Sequence, residues 1–63
     1  MLEEDKKLKE AIALLQISIG YLKDLVKQKE EKGKFEDIFE LYSEIGRLIT
    51  ALGILYEIEK HNG

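Results

Sequence analysis

The sequence predicts an all-α fold: an antiparallel two-helix hairpin that completes a helical bundle by associating with copies of itself. Three observations carry this expectation. Apolar residues recur in both halves at alternating spacings of three and four, and neither half alternates with period two as a half-buried strand would. Proline is absent, and the non-glycine residues are mostly Leu, Ile, Lys, Glu and Ala, which favour or tolerate helix. Gly33, within Glu31-Lys32-Gly33-Lys34, stands near the middle of the 63 residues, where a helix C-terminus calls for a left-handed residue.

The first helix is expected over about 3–32. Leu8, Ile12, Leu15, Ile19, Leu22 and Val26 form a heptad seam flanked by Ala11, Ser18 and Leu25. Between Ala11 and Leu22 only Gln16 and Ser18 are clearly polar, so this stretch is an apolar belt. The second helix is expected over about 35–61, with a wider stripe of Ile38, Leu41, Tyr42, Ile45, Leu48, Ile49, Leu52, Leu55 and Tyr56. Its own belt, Ile45 to Tyr56, carries one charge, Arg47. Acids crowd the helix starts (Glu3, Glu4, Asp5; Glu36, Asp37) and lysines gather near the ends (Lys27, Lys29, Lys32; Lys60), as the helix dipole favours. Asn62-Gly63 repeats the stop signal. With a start at 35, no Ser, Thr or Asp occupies an obvious N-cap of the second helix.

If Gly33 is the hairpin tip, residues whose numbers sum to about 66 lie level, and the two belts coincide. In that register Lys9 matches Glu57, Lys7 Glu59, Lys29 Asp37, Lys27 Glu40 and Lys23 Glu44. Exposed pairs contribute only about 0–1 kcal/mol each, so they are read as specifying orientation.

Residues 1–63 make one small domain, which would bury only about 60% of its unfolded surface. Chains of this size usually add disulfides, a metal or oligomerisation. There is no cysteine, and His61 is the only histidine, which leaves oligomerisation. The net charge is −3. Residues 1–34 carry eight bases and seven acids, residues 35–63 two bases and six acids. A chain without a dense basic stripe is a poor ligand for nucleic acid or an anionic membrane. The apolar runs are far short of the roughly 20 residues a bilayer demands. Glu3, Glu4 and Asp5 follow Met1 at once, unlike the basic start of a signal peptide. The expected compartment is the cytoplasm, or none if the protein is recombinant. No cofactor and no small-molecule substrate are expected.

Two sets of residues are candidate interfaces. The small residues Ser43, Gly46, Thr50 and Gly53 form a ridge beside the main stripe, with Gly46 level with Gly20, Thr50 with Gln16 and Gly53 with Ala13. Glycine inside a helix costs about 1 kcal/mol relative to alanine, so something should offset it. One reading is close helix approach, with a neighbour filling the groove; the other is a small ligand cavity lined by Gln16, Ser18 and Thr50. The second set is a back patch of Leu14, Ile17 and Tyr21 with Ala51, Ile54 and Ile58, pointing away from the seam. It reads as a self-association surface or a docking face for a different protein. The predicted interface is therefore Ala13, Leu14, Ile17, Gly20, Tyr21, Gly46, Thr50, Gly53, Ile54 and Ile58. The expected partner is the chain itself, as a C2 dimer forming a four-helix bundle, with a trimer or tetramer as the next assembly.

Asp37, Glu40 and Glu44 follow helical spacing, with Arg47 one turn on; such carboxylates could hold a metal or act as acid and base. Glu44-Ile45-Gly46-Arg47-Leu48-Ile49 resembles the glutamate-leucine-glycine-aspartate segment of the MazG-type all-α nucleotide pyrophosphohydrolases. The resemblance spans about one and a half turns. Arg47 stands where that family has its metal-binding aspartate, and the upstream paired-glutamate motif has no good counterpart, so Glu44 alone carries over. A solvated acidic face is the alternative. Tyr42 and Tyr56 are placed in the core stripe, their hydroxyls reaching the bundle edge or a polar neighbour, and His61 in the last turn suits the dipole. No Ser/His/Asp set or phosphate loop is present, so no catalytic residue is assigned.

Taken whole, the chain resembles de novo designed helical-hairpin homo-oligomers. Absent Cys, Pro and Trp, dipole-matched charges, the Gly33 turn and heptads throughout carry that resemblance. It implies a thermostable, self-assembling coiled-coil-like bundle. A small hyperthermophile protein would share the Glu, Lys and Ile richness.

Overall fold

The structure, a computed structural model, describes residues 2–62. It holds two helices, α1 (Leu2–Glu31) and α2 (Ile38–Asn62), packed against each other, and no strand among the described residues. The longest dimension is 48 Å. A helix of 30 residues is about 45 Å long, so α2 runs back along α1 as an antiparallel hairpin. Gly63, the last residue of the second stop signal, lies outside the described residues.

The first stop signal is a Schellman motif. Gly33 has φ +71°, the left-handed conformation that only glycine adopts without strain. Its N–H donates to the Glu30 carbonyl at 3.1 Å, and the Lys34 N–H donates to the Lys29 carbonyl at 2.8 Å. These two bonds satisfy carbonyls that a helix end leaves orphaned. A side chain at Gly33 would meet nothing within 4 Å, so the penalty for adding one is conformational, not steric. Gly33→Ala is expected to lower stability by about 1 kcal/mol, read as a lower urea midpoint with unchanged slope.

The second helix begins three residues later than its expected start at 35. After the reversal the chain passes through Phe35 to Asp37, and the Ile38 N–H bonds the Phe35 carbonyl at 3.3 Å. The Asp37 carbonyl accepts the first α-helical bond, from Leu41 at 3.1 Å. Asp37 is thus the N-cap residue that a start at 35 had placed inside the helix. Its carboxylate lies 3.2 Å from Lys29 Nζ and ties the start of α2 to α1.

The core is a strict heptad seam. Among the described residues the buried ones are Ile12, Ile19 and Val26 of α1 and Ile38 and Ile45 of α2, each spaced by seven from the next in its helix. Leu8, Leu15 and Leu22 alternate with them on α1, and Leu41, Leu48, Leu52 and Leu55 on α2; all are half-buried. Knobs at these two heptad positions are what one helix can present to a single partner. The nine-residue stripe expected on α2 is therefore too wide. Tyr42, Ile49 and Tyr56, also spaced by seven, lie exposed on the flank of the seam. A lone neighbouring helix covers the seam and leaves its flanks to water.

Candidate interaction surfaces

With Ile12 and Ile45 at heptad position a, the flanking columns can be read off each helix. Position e is 9, 16 and 23 on α1 and 42, 49 and 56 on α2; position g is 11, 18 and 25 on α1 and 37, 44, 51 and 58 on α2. In an antiparallel pair the two e columns meet on one side of the seam and the two g columns on the other. A hydrogen bond ties the e columns together: Gln16 Nε2 donates to the Tyr56 hydroxyl at 2.6 Å. Side chains of both helices lean toward their own N-termini, so in an antiparallel pair Gln16 and Tyr56 lean toward each other. On the g side, Ala11, Leu25 and Ala51 are half-buried.

This geometry places the ten expected interface residues, the small-residue ridge on one side of the hairpin and most of the back patch on the other. Ala13, Gly20, Gly46 and Gly53 sit at position b, beside the e columns, on what is here named the glycine face. Leu14, Tyr21 and Ile54 sit at c and Ile58 at g, on the opposite, back face. Ile17 and Thr50, at f, point straight away from the seam. All ten are exposed.

The glycine face is apolar and open. On α2 it carries Phe39, Tyr42, Ile49 and Tyr56, with Gly46 and Gly53 between them. A Cβ built on Gly20, Gly46 or Gly53 would meet nothing within 4 Å. Within one chain the close approach expected at the level pairs Gly20/Gly46 and Ala13/Gly53 is therefore absent, because position b points past the neighbouring helix. Phe39 lies outside the sequence-predicted set, yet it is the most exposed of the large apolar residues at 84%. Its signal was available: it precedes Gly46 by seven residues and Gly53 by fourteen.

The back face carries Leu14, Tyr21, Ile54 and Ile58, with Ile17 at its edge. Leu14, Ile17 and Tyr21 are each about two-thirds exposed.

The ligand cavity expected between Gln16, Ser18 and Thr50 does not form. Those three side chains lie at e, g and f and face different directions. Gln16 is bonded to Tyr56, and the Thr50 hydroxyl donates to the Gly46 carbonyl at 3.0 Å. Surface depressions among the described residues lie elsewhere, along a flank of α1 at Asp5, Lys6, Lys9, Glu10 and Ala13 and in the turn at Gly33–Asp37. The first is lined by a single helix and encloses nothing.

The charge register is sharpened in the same way. Of the five expected cross-helix pairs, Lys29–Asp37 is the salt bridge present among the described residues. Lys23 and Glu44 are level but sit at e and g, on opposite sides of the seam, and Lys27 and Glu40 at b and c are likewise separated. Glu44 instead accepts a hydrogen bond from Arg47 at 2.9 Å, one turn along its own helix. Arg47 thus neutralises the one carboxylate that the pyrophosphohydrolase-like segment retains. Among the described residues no three of His, Asp and Glu cluster as a metal site would require. His61 Nε2 lies 3.8 Å from Glu57, an ion pair when the imidazole is protonated. No helix is long and apolar enough to cross a membrane among the described residues.

Fold and surface together define a helical hairpin with a narrow heptad core and two apolar faces on opposite sides of it. No protein-family model, curated protein or solved structure matches the chain.

Proposed function

We propose that this chain is a self-assembling structural unit without catalytic activity, a hairpin whose bundle is completed by further copies, first as a homodimer and next as a trimer or tetramer. One observation carries this reading. The chain exposes 5218 Å², whereas a monomeric protein of 7.3 kDa exposes about 4,200 Å². The excess of about 1,000 Å² slightly exceeds the roughly 800 Å² that each partner buries in a standard interface. Much of it is apolar: among the described residues ten large hydrophobic side chains are exposed and five hydrophobic residues are buried. Fully burying such a side chain contributes roughly 1.5–3 kcal/mol, more than a core of five can forgo in so small a chain. A de novo designed origin fits the dipole-matched charges and the heptads.

Multi-angle light scattering at micromolar concentration tests the proposal. The expected result is one species of at least twice the 7.3 kDa chain mass, with a melting temperature that rises with protein concentration. A well-folded monomer at these concentrations would overturn it. The second reading, a module that docks a different protein, is favoured by one feature: the back face lies on the far side of the seam from the glycine face. One two-fold contact covers one face only, which leaves Leu14, Ile17, Tyr21, Ile54 and Ile58 for a partner.

A further inference from the structure

Resting on the self-assembly reading, we infer that the glycine face is the dimer interface and that its two-fold axis runs parallel to the helices. Each α1 then packs against α2 of a second copy. One face can meet itself through a two-fold axis in two ways.

A two-fold axis parallel to the helices moves nothing along its own direction. Residues level across the hairpin are then also level across the interface, α1 against the second copy's α2. On the glycine face this sets small beside small: Gly20 against Gly46 and Ala13 against Gly53. It sets Gln16 against Ile49 between them. It also sets three of the four lysines of the α1 stripe level with an aromatic residue: Lys9 with Tyr56, Lys23 with Tyr42 and Lys27 with Phe39. A lysine stem can bend over a ring with its ammonium toward the ring's negative face, so these neighbours are tolerated where like charges would repel. The open space over Gly20, Gly46 and Gly53 is what a close backbone approach requires.

The alternative axis lies across the helices and sets α1 against α1 and α2 against α2. The aromatic stripe tolerates this, with Tyr42 beside Tyr56 and Gly46 beside Gly53. The α1 stripe does not. Lys9 would face Lys23 and Lys6 would face Lys27, each twice over, with no acid between them on that stripe. The parallel axis leaves one like-charged meeting, Lys6 with Lys60, at the open end of the hairpin where water screens it. Charge and small-residue register therefore select the same arrangement.

Cysteine pairing tests it. Ala13→Cys and Gly53→Cys chains, mixed and equilibrated in a glutathione redox buffer, should give a mixed disulfide dimer as the main product, seen by mass spectrometry. Each variant alone should give little, because position 13 does not face position 13, nor 53 face 53. Lys9→Cys and Lys23→Cys chains, mixed in the same way, should also fail to pair, because the parallel axis keeps these positions about 21 Å apart in height, whereas an axis across the helices would bring the two introduced thiols together. Circular dichroism checks that every variant is folded. Ready pairing of the Lys9→Cys chain with the Lys23→Cys chain overturns the proposed axis. An oligomer by light scattering without the mixed disulfide overturns the proposed interface, and so does loss of the oligomer in an Ile17→Glu, Ile54→Glu chain that remains folded. A monomeric parent chain instead defeats the self-assembly reading on which all of this rests.

Discussion

Truncating Ile45 to alanine should cost about 2–5 kcal/mol and leave the chain largely unfolded at room temperature. Ile45 sits at the centre of the α2 seam, buried to within 6% of its surface, in a cluster with Ile19, Val26 and Ile38. Removing its outer carbons forfeits their transfer free energy and opens a void that two straight helices close poorly. The cost falls on a chain with few other buried groups and no disulfide. The informative control is Ile49→Ala. That residue is equally apolar and stands four positions on, yet it is about half exposed in the hairpin. In dilute solution, where chains are apart, Ile49→Ala should cost well under half as much. Urea titrations followed by circular dichroism separate the two. Equal losses in dilute solution would mean that the α2 stripe is buried within one chain to its full width, contrary to the narrow seam.

That contrast also marks how far the sequence is legible. Helix content, the reversal at Gly33 and the seam residues follow from periodicity and turn chemistry, which act over a few residues and leave a local signature. The Lys29–Asp37 pair follows from the register near the turn, where the chain itself holds the helices level. Position around the helix is a different matter. Summing residue numbers gives height alone, and Lys23 and Glu44 share a height while lying on opposite sides of the seam. The side becomes known only once the buried column is fixed, and Tyr42, Ile49 and Tyr56 are too apolar to be told from seam residues by type. The start of α2 was obscured for a related reason: Glu36 and Asp37 suit a first turn, but the Schellman motif at Gly33 takes up the chain as far as Lys34 before a new helix can form. The predicted interface residues separate by pattern alone into a small-residue ridge and an apolar back patch. What the pattern cannot give is that Thr50 and Ile17 point straight away from the seam, which needs the buried column.

Substituting leucine for Gly46 or Gly53 should move the hairpin and its assembly in opposite directions. Within one chain there is room. Nothing stands within 4 Å of the position a Cβ would take at either glycine, so a side chain there meets solvent. Leucine is a better helix former than glycine by nearly 1 kcal/mol, and the dilute, unassociated hairpin should gain helicity accordingly. Between chains the same side chain enters a groove shaped by the absence of one. Overpacking of that kind costs about 1–3 kcal/mol, and a two-fold interface meets each substitution twice, so association should weaken by well over tenfold. Light scattering on a dilution series should show the variant dissociating at concentrations where the parent stays assembled, while circular dichroism of the dissociated chain shows no loss of helix. Gly46→Ala is the graded case, with similar helical gain and a smaller loss of association. Unchanged oligomer mass and melting temperature in both leucine variants would refute close packing at this face. The glycines would then be a cost in helix stability with nothing in the assembly to offset it.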